Sequence, residues 1–238
     1  MKEYLELGHM TMITDVPDKS SDPKYYIKHH AVLRPSSTTT KLRVVFNASA
    51  PTVNGPSLNN ILMVGPKVQL DLFDILIKFR LFKVAFSADI AKMYRQILVH
   101  PEDRKLQRIL WRDEVNKNVQ EFELNILTYG TAPASFIATE CLSKLAEIVE
   151  SEPSSDISIE FRKRIADAIR EHFYMDDFLY SAPTVEAAIK IQEAVHSTLL
   201  KGQFPLRKYV SNNLDFLKNL DPSLTEKKVL DLTAETLT

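Results

Sequence analysis

An α+β fold is predicted by three observations. Apolar or alternating runs of strand length interleave irregularly with longer stretches of helical periodicity, so no regular βαβ series is written into the chain. Its 238 residues, 45% of them hydrophobic, suffice for one large domain or two small ones. Glycine occurs only five times, so each glycine is expected where the backbone needs it.

The elements follow in order. Residues 14 to 23, TDVPDKSSDP, are a loop by composition. AVLRPSSTTTKLRVVFNAS reads as two strands joined by a polar turn at 35 to 40, and APTVNGPSLNN as another loop. KVQLDLFDILIKFR fits a helix with Pro66 near its first turn. FKVAFSA is then a strand that ends on Asp89. HPEDRKLQRILWR opens on a short helix or turn and runs into a strand around Ile109 to Arg112. FELNILTYG is a further strand, broken at Gly130. Helices are expected in ASFIATECLSKLAEIVE, EFRKRIADAIREH and TVEAAIKIQEAVHSTLLK, the last started by Ser181 and Pro183 and closed by Gly202 in the C-cap position. FPLRKYV is the expected last strand.

Net charge is −1, so no global basic field advertises nucleic-acid binding. The total hides an asymmetry. From Pro23 to Leu70 there is no Asp or Glu, while Lys24, Lys28, Arg34, Lys41, Arg43 and Lys67 all occur there. A solvated surface normally mixes both signs, so this segment predicts contact with an anion; a loop-rich stretch that happens to lack acids is the blander explanation. Lys41 and Arg43, two residues apart on one strand face, form a natural phosphate clamp.

The single cysteine, Cys141, excludes an internal disulfide and any cysteine-rich zinc site and fits a reducing compartment; a packed thiol is its expected role. No apolar run approaches the roughly 18 residues of a membrane span. The N-terminus lacks the apolar centre of a signal peptide. The expectation is an intracellular protein, cytoplasmic or nuclear, with no membrane partner.

The chemistry concentrates in HFYMDDFLYSA, where Asp176 and Asp177 interrupt an aromatic and aliphatic hairpin. A tight turn explains adjacent aspartates; so does a pair of metal ligands at a hairpin tip. Asp89, at a strand end, is by itself a cap or turn residue. If its strand pairs beside the hairpin, three carboxylates converge and repel unless divalent cations stand between them. Hard oxygens without nearby His or Cys select Mg²⁺ or Mn²⁺, and two such ions suit in-line phosphoryl transfer.

FYMDDFLYS resembles the Tyr-x-Asp-Asp hairpin of reverse transcriptases, and FSADIAKMYRQI resembles their first catalytic motif. HHAVLRPSSTTTKLRVVFNASA, SLNNILMVGP, KMYRQILVHPEDRKLQRILWR, LTYGTAPASFIATECL and FPLRKYVSN are similar, in order, to the polymerase of BEL/Pao-type LTR retrotransposons, from about residue 3 to residue 213. The resemblance implies a right-hand polymerase with an antiparallel palm sheet, packed helices and fingers, the thumb largely missing. It divides the chain into fingers at 1–64 and 101–134 and palm at 65–100 and 135–238. It implies an RNA-directed DNA polymerase with Asp89, Asp176 and Asp177 as catalytic triad, two Mg²⁺ or Mn²⁺ ions and the Ile90 backbone as a further ligand. Lys41 and Arg43 match cations that grip the incoming dNTP, Tyr94 the aromatic under its sugar, and Tyr129 and Gly130 the loop against nucleotide and template. Arg207 and Lys208 fall near the place of a lysine that protonates the leaving pyrophosphate, with Lys208 as the candidate general acid. Partners implied are an RNA or DNA template with primer, dNTPs, and the RNase H and integrase regions of a polyprotein.

The chain departs from the family in three places. Asn47 stands where the family has Asp. Proline and serine are exchanged in YGTAPAS, which predicts a shifted helix start. The sequence stops before primer grip and thumb. A catalytically silent nucleic-acid-binding remnant is therefore the alternative. Another two-metal enzyme, such as a nuclease, is a third reading, but it leaves Tyr94 and the Lys41/Arg43 strand without a role.

Overall fold

The computed structural model describes residues 1–14, 23–35, 41–53, 55–153 and 157–229. Most of the predicted loop at 14 to 23 and the turn at 36 to 40 lie outside these. In chain order the elements are α1 (Lys2–Glu6), β1 (Met10–Met12), β2 (Lys28–Leu33), β3 (Leu42–Asn47), α2 (Leu58–Ile61), α3 (Leu72–Phe79) and β4 (Val84–Ile90). They continue with β5 (Arg108–Trp111), β6 (Gln120–Leu124), α4 (Ala134–Ser151), α5 (Ile159–Glu171), β7 (Phe173–Tyr174) and β8 (Asp177–Ala182). The chain closes with α6 (Val185–Lys201), β9 (Leu206–Ser211), α7 (Leu214–Lys218) and β10 (Thr225–Val229). Short 3-10 turns occupy Met93–Gln96, Pro101–Gln107 and Pro222–Leu224.

Two compact units result: Met1–Pro66 with Tyr94–Ile137, and Lys67–Met93 with Ala138–Thr238. The first holds a three-stranded sheet in the order β1-β6-β5 and the two-stranded ribbon β2-β3, all antiparallel. Its core gathers Tyr4, Met10, Phe46, Ile109, Phe122 and Leu124. The second holds a five-stranded sheet in the order β10-β9-β4-β8-β7, antiparallel except for the outer β10–β9 pair. Phe86, fully buried at the middle of β4, packs against Phe178, Tyr180 and Tyr209 of the neighbouring strands and stacks on Phe216 of α7 at 4.6 Å.

The predicted strands and helices form, with informative differences. The helix expected from Lys67 begins only at Leu72, so Pro66 is not in its first turn. Residues 67 to 71 instead run outside it, with Lys67 ion-paired to Asp71 and Gln69 free to reach elsewhere. Only Ile75 and Phe79 of α3 are buried, while Leu72, Phe73, Leu76 and Ile77 stay exposed. The strand read in FELNILTYG stops at Leu124 rather than reaching Gly130. Its polar Asn125 turns aside and donates to the Gly8 carbonyl and to Thr11. α6 is capped by Thr184, whose hydroxyl accepts from Ala187 N–H at 3.2 Å; Ser181 belongs to β8.

Gly202 does close α6, but with an ordinary φ of −88°, and the left-handed residue is Gln203. What Gly202 supplies is space, since a Cβ there would lie 2.5 Å from Leu145. α4 starts at Ala134, directly after Pro133, whose carbonyl accepts from Ile137. β9 is not the last strand, because β10 follows it. The N-terminal α1 and β1 form in a stretch whose sequence carries no marked helix or strand pattern. Cys141 is half-buried, and burial pushes its thiol above the usual range, as a packed thiol requires. Among the described residues no helix is long and apolar enough to cross a membrane.

Candidate active site

Asp89 is the penultimate residue of β4 and Asp177 the first of β8, and the antiparallel ladder sets them directly opposite one another. Directly paired residues present their side chains on the same sheet face. Asp176 sits in the turn between β7 and β8, and its carbonyl accepts the Ile90 N–H at 2.8 Å, which ties the hairpin tip to the end of β4. Ile90 itself is buried. Asp89 and Asp177 thus pair at one end of the five-stranded sheet, with Asp176 in the adjoining turn.

The turn between Tyr174 and Asp177 has two central residues, and Met175 takes a left-handed φ of 56°. Glycine is usual where such a hairpin needs positive φ; a side chain there costs roughly 1–2 kcal/mol. Two contacts offset the strain. Phe173 stacks on Phe178 at 4.7 Å below the tip, and the Met175 N–H donates to Gln69 Oε1 at 3.0 Å. Gln69→Leu keeps the side-chain size and removes that acceptor. The expected result is about 1 kcal/mol of local destabilisation, read as roughly fivefold faster amide exchange at Met175. Unchanged exchange there shows that Gln69 does not hold the tip.

Charge at the site is balanced by β9. Asp89 Oδ2 lies 3.4 Å from both Arg207 Nη2 and Lys208 Nζ, whereas Asp89 Oδ1 is buried without a hydrogen-bond partner. The Asp177 carboxyl is held above the ordinary carboxylate range, first by desolvation and then by the negative charges of Asp176 and Asp89, with Lys208 pulling the other way. Among the described residues no three His, Cys, Asp or Glu side chains stand together as a ready metal cage. The donor set still suits a hard cation. It consists of carboxylate oxygens, one of them buried and unpartnered, and Mg²⁺ is ordinarily held by one or two carboxylates together with substrate phosphates.

The other residues singled out from the sequence belong to the first unit. Lys41 lies just before β3 and Arg43 within it, both exposed, and Lys41's carbonyl accepts from Arg34 N–H at 2.7 Å. The hydroxyl of Tyr129 donates to the carbonyl of Val44. Its ring meets Phe46 edge-on at 5.8 Å and Tyr94 at 6.4 Å, so Tyr94 and Tyr129 share one half-buried aromatic cluster beside β3. Gly130 has φ +95°, and a Cβ there would stand 2.6 Å from the Phe46 carbonyl oxygen, so only glycine permits this approach. Asn47 is exposed and pairs with Lys28 in the ribbon.

Two further residues, Asn59 and Gln69, are not singled out by the sequence. Asn59, inside the quoted SLNN box, donates to the Gly130 carbonyl at 2.9 Å and accepts from Ala132 N–H at 2.7 Å, pinning that loop. Gln69 holds the hairpin tip, and no local signal marks it. Arg207 was named only as a neighbour of Lys208, and its contact with Asp89 needed the sheet to be visible.

Among the solved structures similar in fold are two foamy-virus enzymes. One is the foamy viral protease–reverse transcriptase dRH in complex with double-stranded DNA, with a TM-score of 0.57 and 17% identity over 85% of this chain and 28% of that one. The other is the Prototype Foamy Virus protease–reverse transcriptase CSH mutant, with a TM-score of 0.59 and 15% identity over 86% of this chain and 22% of that one. The chain has a reverse-transcriptase-like fold. It spans 28% and 22% of the lengths of these neighbours. No family model and no curated protein sequence matches it.

Proposed function

We propose that the chain is the catalytic region of an RNA-directed DNA polymerase of the BEL/Pao retrotransposon type. The single observation that carries this reading is Asp89 directly across the β4–β8 ladder from Asp177, beside Asp176 at a strained hairpin tip, on a reverse-transcriptase-like fold. In this reading the five-stranded sheet is the palm, and residues 1–64 and 101–134 are the fingers. Asp89, Asp176, Asp177 and the Ile90 backbone would hold the divalent ions. Bound there, Mg²⁺ or Mn²⁺ would supply Lewis acidity toward the primer 3′-hydroxyl and charge neutralisation for the leaving pyrophosphate.

The chain's own residues do the positioning. Lys41 and Arg43 grip the triphosphate, as their exposure and the acid-free segment around them favour. Tyr129 and Gly130 present a rigid loop to nucleotide and template, with Asn59 fixing it. Tyr94 lies under the sugar and rejects a 2′-hydroxyl by contact. Lys208 hands a proton from Nζ to the departing pyrophosphate. A primer on an RNA or DNA template is the macromolecular partner; the complex of one neighbour with double-stranded DNA supports a nucleic-acid partner.

Primer extension on an RNA template with Mg²⁺ or Mn²⁺ and dNTPs tests the proposal, and the expected result is incorporation, at least distributively. Retained template binding without extension favours the silent remnant, and cleavage of substrate without dNTPs favours the nuclease. Tyr94→Val tests the sugar contact. Removing the ring is expected to raise the ratio of ribo- to deoxynucleotide incorporation by at least about tenfold, and an unchanged ratio removes Tyr94 from that role.

A further inference from the structure

Consecutive residues of a β-strand point to opposite faces, so Arg207 and Lys208 should not reach the same carboxylate. They do, both at 3.4 Å from Asp89 Oδ2. The reason is local. Lys208 has a left-handed φ of 54°, and the β4–β9 register shifts between Ser87 and Asp89. This irregularity interrupts the alternation of β9 and turns two adjacent cations onto one anion. A left-handed backbone at a lysine is strained, and strained residues gather at functional sites.

The contact is also incomplete. Both distances exceed the roughly 2.7–2.9 Å of a well-made charge-assisted bond. Asp89 Oδ1 and Arg207 Nε are buried with no hydrogen-bond partner, although a direct Arg–carboxylate fork would satisfy both. The pair therefore neutralises Asp89 without saturating it. Asp89 faces Asp177 and lies beside Asp176, so some positive charge is required here whenever no cation from solution is present.

We infer that the β9 irregularity is a counter-ion latch, in which Arg207, seconded by Lys208, holds Asp89 in the ion-free protein and competes with a divalent cation for it. The inference rests on the polymerase reading above but adds a separate claim, that the site's affinity for divalent ions is set by a positioning residue, Arg207, that is not itself a ligand. It also gives Lys208 two states, one on Asp89 and one free to donate its proton elsewhere.

Mn²⁺ binding to the full 238-residue chain, followed by the loss of the free-ion electron paramagnetic resonance signal, tests this without any need for turnover. Arg207→Gln removes the competing charge and is expected to bind Mn²⁺ on the order of tenfold more tightly than the unaltered chain. Arg207→Lys restores the charge and is expected near the original affinity. In an Asp89→Asn background, Arg207→Gln is expected to make no difference. Lys208→Gln carries the same prediction in the same direction and serves if Arg207→Gln does not fold. Equal or weaker Mn²⁺ binding by the neutral variants overturns the latch and leaves the polymerase reading standing. Absence of Mn²⁺ binding in both the unaltered and the neutral chains overturns both.

Discussion

Asp176→Asn is expected to reduce nucleotide incorporation by at least about a hundredfold while leaving the fold intact. Even residues one shell removed from a metal change affinity or activity by about 10–100-fold, and Asp176 is proposed as a direct ligand. The fold is spared because the contact that ties the tip to β4 uses the Asp176 backbone carbonyl, which asparagine retains. The side chain sits beside Asp177, whose carboxyl is already raised by desolvation and by the charges of Asp176 and Asp89, so losing one negative charge relieves repulsion. Thermal stability is therefore expected to stay within about 0.5 kcal/mol of the original or to rise. Primer extension alongside a melting curve checks both halves. Incorporation at the original rate removes Asp176 from the chemistry.

Phe86→Ala is expected to have the largest effect on stability, about 3–5 kcal/mol. The ring is fully buried and contacts aromatic residues of β8, β9 and α7, so its loss opens a cavity walled by rigid rings that collapse poorly. Against a total of roughly 5–15 kcal/mol, this leaves little margin. The consequence reaches the site, because Phe86 pairs with Tyr180 in the ladder that also sets Asp89 against Asp177. Urea denaturation measures the change; a loss below about 1 kcal/mol contradicts the central place given to this ring.

Much of this arrangement is legible in the sequence. The alternation of KLRVVF marks β3, and the hairpin at Phe173 to Ala182 carries its own turn signal, so both were readable from local pattern. Asp89 at a strand end and the aspartate pair at a tip were readable for the same reason. The start of α3 was not, since the apolar spacing of residues 68 to 72 suits a helix. Only the reach of Gln69 to Met175 shows why that segment stays out of it. Gly202 was read as a backbone requirement, and its purpose is room for Leu145 from α4, a distance no local pattern encodes.

The sequence by itself determined the alternation, the turns and the residue types: which segments are strands, where carboxylates end them, and where acids are excluded. These follow from rules that act over a few neighbouring residues. The tertiary structure decided which strand lies beside which, in what register, and with what charge opposite. Asp89 faces Asp177 because β4 pairs with β8, and it meets two cations at once because β9 departs from regular strand geometry at Lys208. Pairing, register and strand irregularity are set by the packing of the whole sheet, and a one-residue slip would have turned each of these side chains to the other face.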